Sequence, residues 1–173
     1  MAKIVYGAVT LGWMLIMALF SSQPYERQDI RPWLERALSR TGLERIADGI
    51  AFRYGHTVVS VRELGLGGFA EFMVRKLAHL TEYAVLGCLL LFLLSAMFRR
   101  GRWLVPAVVA LIFVFATMDE FHQSFVQGRT ALPEDVLLDT LGACIGVLLA
   151  LPALHSTKEA PPLAGGGRKE RAG

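Results

Sequence analysis

Four long apolar runs constrain the fold of this chain more than any other feature. They lie within residues 4–20, 69–98, 103–118 and 135–154. About 20 apolar residues in an α-helix cross the ~30 Å hydrocarbon layer of a bilayer. The chain is 54% hydrophobic and 19% charged, whereas soluble domains are about a quarter charged. We therefore predict an all-α polytopic membrane protein: a four-transmembrane-helix bundle plus an amphipathic helix in the first extracytoplasmic loop.

The first apolar run has a second interpretation, as a cleaved signal peptide behind Lys3. The run is long for a signal peptide, and Ala18-Leu19-Phe20 lacks small residues at both cleavage positions. We interpret it as a retained transmembrane helix. The predicted division is 1–22 for this helix, 23–70 for an extracytoplasmic loop, 71–154 for a core of three transmembrane helices and 155–173 for a disordered cytoplasmic tail.

The loop contains one segment with helical periodicity, residues 29–52. Its apolar residues recur at spacings of three and four, with Arg and Glu on the other face. Asp29 is the predicted N-cap, Pro32 suits the first turn, and Gly42 interrupts the helix. The pattern is typical of an amphipathic helix on the membrane or on the bundle, and a solvated surface helix over a small core remains an alternative.

The remainder of the loop is less regular. Residues 57–61 form a short β-branched run whose conformation the sequence leaves open. Gly65, Gly67 and Gly68 predict a loose joint before the second apolar run. Cys88 and Cys144 both lie inside apolar runs, and we interpret them as small buried hydrophobic residues rather than a disulfide framework.

The distribution of charge predicts the orientation in the membrane. Lys and Arg outnumber Asp and Glu in residues 1–3, 99–102 and the tail from Lys158, whereas the loop is nearly balanced. The positive-inside bias therefore places both termini in the cytoplasm. The basic pI of about 9.1 does not indicate a nucleic-acid partner, because the basic residues flank apolar runs instead of forming a stripe.

Ionisable and polar residues concentrate at one predicted depth. Counting about 20 residues from the cytoplasmic end of the second, third and fourth helices leads to His79, His122 and Asp135. All three positions lie near the outer interface. The predicted binding residues of this layer are Lys76, His79, Glu82, Tyr83, Asp119, Glu120, Gln123, Arg129, Asp135 and Asp139.

The polar layer allows two interpretations. Lys76 and Arg129 could neutralise Asp119, Glu120 and Asp139, so that the layer serves helix packing alone. Intramembrane ionisable residues are also a default functional hypothesis, and histidine, tyrosine and carboxylates are the groups of general acid–base chemistry. No catalytic residue is assigned; the candidates are His79, Asp119, Glu120 and Asp139. Below this layer, Gly142 and Gly146 extend the Asp135–Asp139 stripe and predict close helix packing.

The sequence predicts no cofactor. His79, Asp119, Glu120 and Asp139 could supply nitrogen and oxygen ligands to a divalent metal, although their spacing matches no known ligand signature. The Gly128-Arg129 turn could aim a guanidinium at a phosphate or a carboxylate; an Arg129–Asp135 ion pair is the alternative.

At these residues the chain resembles the VanZ-like family of bacterial membrane proteins. One signature, K-x-x-H-x-x-x-Y-x-x-L-G, corresponds to Lys76, His79, Tyr83, Leu86 and Gly87, with Glu82 also in its usual place. The second, D-E-x-x-Q followed by a G-R turn and two aspartates before a glycine, corresponds to Asp119, Glu120, Gln123, Gly128, Arg129, Asp135, Asp139 and Gly142. Gln127 replaces a frequent proline, and Leu132 replaces a small residue or serine.

The resemblance implies a protein of the bacterial cytoplasmic (plasma) membrane and cell envelope. The namesake of the family is associated with lowered susceptibility to the glycopeptide teicoplanin. From the common depth of the polar residues we expect an outward-facing polar pocket that engages a lipid head group or a lipid-linked envelope precursor. In that pocket Arg129 and Lys76 would clamp an anion, and Tyr83 would orient it.

Two further hypotheses belong to other functional classes. One is a membrane scaffold or accessory protein whose charge layer only specifies helix packing. The other is a small transporter. This hypothesis is the least favoured, because many transporters contain inverted repeats and the four predicted spans do not. The oligomeric state is left open by the sequence.

Overall fold

The computed structural model describes residues 1–98 and 101–156. Its helices are α1 (Ala2–Ser21), α2 (Arg31–Leu38), α3 (Leu43–Ala47), α4 (Val61–Met97), α5 (Leu104–Gln123) and α6 (Pro133–Ser156). A 3-10 turn covers Tyr25–Gln28, and β1 (Ala51–Tyr54) pairs with β2 (Thr57–Ser60) as an antiparallel hairpin. Residues 99–100 of the predicted basic turn and residues 157–173 of the predicted tail lie outside the described residues.

Four helices, α1, α4, α5 and α6, are long and apolar enough to cross a membrane. This finding confirms the predicted polytopic bundle. Helix α4 extends over 37 residues with a kink at Gly65. The part after the kink is roughly 48 Å long at ~1.5 Å per residue, whereas the hydrocarbon layer is ~30 Å thick. Because the turn from α4 to α5 is short, the excess length lies at the N-terminal end of α4. We call this end of the bundle, which also carries residues 22–60 and 124–132, the loop end.

Helix α4 is the centre of the bundle and packs against α1, α2, α5 and α6. The main core joins apolar residues of all four spans, with Leu86, Val108, Ile112 and Val147 almost fully buried. Trp13 of α1 donates its indole N–H to the Glu82 carbonyl of α4 at 3.0 Å. Since a buried indole needs a hydrogen-bond acceptor, this contact fixes α1 beside the middle of α4.

Helices α4 and α6 approach closely along a line of glycines. A β-carbon added at Gly142 or Gly146 would overlap the carbonyl oxygen of Leu80 or Ala84. One added at Gly87 would lie 2.5 Å from the Ala143 carbonyl oxygen. The predicted close packing along the glycine stripe is therefore confirmed, and van der Waals contact between backbones holds these two helices together.

The loop folds onto the N-terminal end of α4. Gly42 adopts φ 72° and separates α2 from α3, as the sequence predicted, but helix ends at Ala47 and residues 51–60 form the hairpin instead. Leu34 is buried, whereas Trp33 is 62% and Ile46 is 75% exposed. The amphipathic segment thus packs one face on the bundle and leaves a second apolar face open.

One prediction about the loop was wrong. Asp29 is not the N-cap of α2; its carboxylate accepts the Arg31 backbone N–H at 3.0 Å and the Arg31 guanidinium at 2.6 Å. This contact holds the pKa of Asp29 at about 2. The predicted joint at Gly65, Gly67 and Gly68 is a kink, because α4 consists of two helical segments that meet at Gly65. Gly65 alone takes a non-helical conformation there (φ 71°), and the Gly67 N–H donates to the Glu35 carboxylate at 2.5 Å.

Ser60 caps α4, and its replacement should weaken the loop end. Its hydroxyl oxygen accepts the Glu63 backbone N–H at 3.2 Å, which satisfies one of the free donors of the first turn. We expect Ser60→Ala to lower the free energy of unfolding by roughly 0.5–2 kcal/mol, measured by thermal denaturation in detergent. Ser60→Thr keeps the oxygen and is the matched control; equal losses in both variants would contradict a capping role.

Candidate binding site at the loop end

Lys76 and Asp135 join α4 to the start of α6. The Lys76 ammonium donates to Asp135 Oδ1, and the Tyr54 hydroxyl of the hairpin donates to the same oxygen at 2.5 Å. The ammonium also lies 4.5 Å from the centre of the Tyr54 ring. Burial and the bond to Asp135 raise the pKa of Tyr54, so its hydroxyl stays a hydrogen-bond donor.

His79 and Asp139 face each other one turn further into the bundle. His79 Nδ1 lies 3.4 Å from Asp139 Oδ1, which is ion-pair distance without hydrogen-bond geometry. Tyr83 lies one turn beyond His79 and is fully buried. Its hydroxyl has no hydrogen-bond partner among the described residues. One buried atom of each of these three side chains, His79 Nδ1, Asp139 Oδ1 and the Tyr83 hydroxyl, thus has unused hydrogen-bonding capacity.

Arg129 projects from the turn between α5 and α6 toward the end of α1. Its guanidinium donates to the carbonyls of Phe20 (3.0 Å) and Gln23 (3.2 Å) and to the side chains of Gln28 (2.6 Å) and Gln123 (3.1 Å). All four acceptors are neutral. Within the described part of the chain, no carboxylate lies within 4.0 Å of this guanidinium, so the alternative Arg129–Asp135 ion pair is wrong. Burial lowers the pKa of Arg129, although an arginine side chain stays charged in proteins.

Asp119 and Glu120 of α5 line different cavities. Asp119 accepts from the Gln123 amide at 2.9 Å, and Gln123 in turn accepts from Arg129. Glu120 is buried, accepts the Leu132 backbone N–H at 2.7 Å, and faces an apolar groove between α5 and α6. Neither Lys76 nor Arg129 forms an ion pair with Asp119, Glu120 or Asp139, contrary to the packing interpretation of the sequence.

Two polar clefts open at the loop end. The first, which we call the α1–α4 cleft, has a volume of about 380 Å³ and is lined by Met17, Phe20, Ser21, Gln28, Ile30, Glu71, Val74, Arg75, Ala78, His79, Glu82, Asp119 and Arg129. The second, the loop cleft, has a volume of about 270 Å³ and is lined by Tyr25, Arg31, Tyr54, Thr57, Leu64, Gly68, Glu71, Phe72, Arg75, Lys76, His79, Gln123, Gly128, Arg129, Thr130, Leu132 and Asp135. They share Glu71, Arg75, His79 and Arg129, so the clefts adjoin.

Glu71 is the centre of the wall between the clefts. Its carboxylate is 4% exposed, accepts the Tyr25 hydroxyl at 3.0 Å and forms ion pairs with Arg75 at 2.7 Å and Arg31 at 3.5 Å. Burial and this carboxylate raise the pKa of Tyr25. The first loop is therefore tied to α4 by a buried, fully partnered carboxylate.

The arrangement of acidic and histidine side chains bears on metal binding. Within 1–98 and 101–156, no three His, Cys, Asp or Glu side chains are grouped so that they could hold a metal ion. The suggested ligands His79 and Asp139 lie together, whereas Glu120 lines the groove between α5 and α6.

Comparison with known families identifies the group to which this chain is related. The family described as VanZ/LLP1 matches residues 6–155. The chain belongs to the VanZ/LLP1 family. The match extends from α1 into the last turns of α6 and includes the loop, so the whole described bundle is the family domain. Searches of curated proteins and of solved structures gave no significant match.

In this VanZ/LLP1 protein the predicted binding residues divide into two groups. Seven line one or both clefts: Lys76, His79, Glu82, Asp119, Gln123, Arg129 and Asp135. Tyr83 and Asp139 lie inside the helix packing, and Glu120 lies outside both clefts. The binding and catalytic roles of these residues stay predictions.

Sequence reasoning missed several cleft residues of the same protein, chiefly Glu71, Arg75, Tyr25 and Tyr54. Glu71, Arg75 and His79 recur every four residues on α4, so they form one helical stripe. This spacing could have identified Glu71 and Arg75. The tyrosines lie on the loop and carry no periodic signal.

Proposed function

We propose that this VanZ/LLP1 membrane protein binds the head group of a membrane lipid, or of a lipid-linked envelope precursor, in the adjoining clefts at its loop end. The main support for this proposal comes from Arg129. Its guanidinium lines both clefts, and all its hydrogen-bond partners in the protein are neutral. A half-buried cation without a carboxylate is costly unless an external anion approaches it. Lipid head groups supply such anions at the depth of an interface.

The proposed placement is the outer face of the bacterial cytoplasmic membrane, with both termini in the cytoplasm. The balanced charge of the loop and the excess of Lys and Arg over Asp and Glu in residues 1–3, 99–102 and the tail from Lys158 support it. The proposal extends to glycopeptide susceptibility, because a protein that binds an envelope precursor at the outer face would act where such drugs bind.

The lipid content of the purified protein tests the proposal. We expect wild-type protein to retain phosphorus-containing lipid through detergent exchange, and Arg129→Gln to retain several-fold less, since hydrogen bonds to a charged group are among the stronger polar contacts. Extraction and mass spectrometry measure both. Arg53→Gln, an exposed arginine on the hairpin outside both clefts, is the matched control. Equal lipid content in all three proteins would refute the proposal.

The second candidate is a scaffold whose charges serve packing alone. It is favoured by the Glu71 and Asp135 carboxylates, which are fully engaged within the protein. Under this alternative, His79→Ala and Asp119→Asn lower abundance and melting temperature, and any effect on teicoplanin susceptibility follows in proportion. Under lipid binding, we expect both variants to lose the cellular effect at unchanged protein level, measured by immunoblot beside the susceptibility assay.

A further inference from the structure

The mouths of the two clefts face different surroundings. The α1–α4 cleft is bordered by Phe20, which is 53% exposed, and Val74, which is 46% exposed. Both side chains lie on the outer surfaces of helices that span the membrane. The loop cleft is bordered instead by exposed Thr57 and Thr130. One mouth therefore opens sideways to lipid, and the other opens toward water.

The two clefts also differ in the sign of their charge. The loop cleft is lined by four cations, Arg31, Arg75, Lys76 and Arg129, and by the carboxylates Glu71 and Asp135. Asp29, outside the cleft lining, pairs with Arg31, so one cation remains in excess. The α1–α4 cleft carries two cations, Arg75 and Arg129, against Glu71, Glu82 and Asp119. An anion is therefore favoured in the loop cleft and disfavoured in the α1–α4 cleft.

Hydrogen-bond donors in the loop cleft fit an oxyanion. Arg129 uses four of its five N–H groups on protein acceptors, which leaves one on Nη1. Lys76 uses one donor on Asp135, and the hydroxyls of Thr57 and Thr130 also line the cleft. Phosphate oxygens are the acceptors that such a mixture of guanidinium, ammonium and hydroxyl donors binds best.

The volumes of the two clefts are consistent with one ligand whose head group occupies one cleft and whose chain occupies the other. The loop cleft, at about 270 Å³, is slightly smaller than the ~300–1,000 Å³ pockets of drug-sized ligands and suits a compact head group. The α1–α4 cleft has a volume of about 380 Å³. It is lined by the apolar side chains of Met17, Phe20 and Val74, which suit a hydrocarbon chain. The shared wall of Arg75, His79 and Arg129 lies where the two parts of such a ligand would join.

We propose that the two clefts form one bipartite site for a phosphate-bearing lipid. The phosphate lies in the loop cleft near Arg129 and Lys76, and the apolar chain leaves through the α1–α4 cleft between Phe20 and Val74 into the bilayer. This inference rests on the proposed function and narrows it: the ligand carries a phosphate, and it enters from the membrane. A free phosphate ester offers the same oxyanion as a phospholipid head group. Comparison of a phospholipid with glycerol phosphate distinguishes the two ligands.

The experiment measures binding of dioleoylphosphatidylglycerol to the delipidated full chain in an uncharged detergent by native mass spectrometry. Arg129→Gln removes the anion contact, and Val74→Trp fills the lateral mouth. The matched controls are Arg53→Gln and Leu77→Trp, since Leu77 is exposed on α4 outside both clefts. Dioleoylglycerol, which lacks phosphate, and glycerol phosphate, which lacks chains, are the comparison ligands.

We expect Arg129→Gln and Val74→Trp each to weaken binding by about tenfold or more, as the loss of a charge-assisted contact or of chain burial implies, while both controls stay within about twofold of wild type. Dioleoylglycerol should bind far more weakly than the phospholipid. Glycerol phosphate at equal concentration should displace little of it. If Arg129→Gln does not fold, Val74→Trp and the two comparison ligands still decide the outcome.

Two results would overturn the inference while the proposed function stands. They are wild-type affinity in Val74→Trp and full displacement by glycerol phosphate, because both would indicate a head-group site filled from water. Equal binding of dioleoylglycerol would overturn the inference and the proposed function together, because an anionic head group would then contribute nothing to binding. If wild-type protein retains no lipid of any kind, the proposed function fails as well.

Discussion

Gly146→Leu is expected to prevent assembly of the bundle. At this position an added β-carbon would already overlap the Ala84 carbonyl oxygen of α4, and backbone atoms cannot give way as a flexible side chain can. Overpacking costs about 1–3 kcal/mol for small insertions, so Gly146→Ala should lose roughly that amount of unfolding free energy. The leucine variant must separate α4 from α6, the most extensive helix contact in the protein.

Size-exclusion chromatography and thermal unfolding in detergent measure this effect. We expect no monodisperse peak for Gly146→Leu and a lowered melting temperature for Gly146→Ala. Gly12 on α1 is the matched control, because a β-carbon there meets nothing within 4 Å. Gly12→Ala should be neutral or slightly stabilising, since alanine favours helix by up to ~1 kcal/mol over glycine. A Gly146→Ala variant as stable as wild type would contradict the close approach.

Lys76→Met is expected to produce the second-largest loss. It leaves the Asp135 carboxylate buried with Tyr54 as its remaining donor. Breaking a buried ion pair by removal of one partner costs about 3–5 kcal/mol, and both side chains of this pair are at most 15% exposed. The same substitution also removes the cation from the Tyr54 and Phe72 rings.

A double variant distinguishes the cost of an unpaired Asp135 carboxylate from the cost of the packing that the Lys76 side chain provides. Lys76→Met with Asp135→Leu removes both charges, and replacement of a whole buried pair by apolar residues is often neutral. We expect the double variant to unfold at a higher temperature than Lys76→Met alone. Arg53→Met, at an exposed hairpin position, controls for loss of a cation. A double variant less stable than the single one would show that the two charges do not act as a pair.

The sequence predicted the depth of the polar residues better than their partners. Helical spans need a fixed number of residues to cross lipid, so counting along α4, α5 and α6 placed His79, His122 and Asp135 at one end of the bundle. The choice of partner depends on which helix faces turn toward each other. The sequence therefore could not assign Lys76 to Asp135, or Arg129 to the carbonyls of Phe20 and Gln23.

The loop was the least predictable part of the site. Tyr25, Arg31 and Tyr54 contribute to the loop cleft through contacts with Glu71, Arg75 and Asp135, which are far away along the chain. Short hairpins are stabilised by the surface on which they pack, and here that surface is the N-terminal end of α4. The glycine at position 42 correctly indicated the break between α2 and α3, because glycine adopts a positive φ easily.

The sequence by itself determined the four spans, the close approach of α4 and α6 at Gly142 and Gly146, and the layer of ionisable groups, since each of these follows from hydropathy and spacing along one helix. The tertiary structure decided that this layer surrounds two clefts, that Glu71 forms their shared wall, and that Arg129 meets neutral acceptors. Those outcomes depend on the relative rotation of the helices and on the fold of the loop over them, which arise from contacts between distant segments.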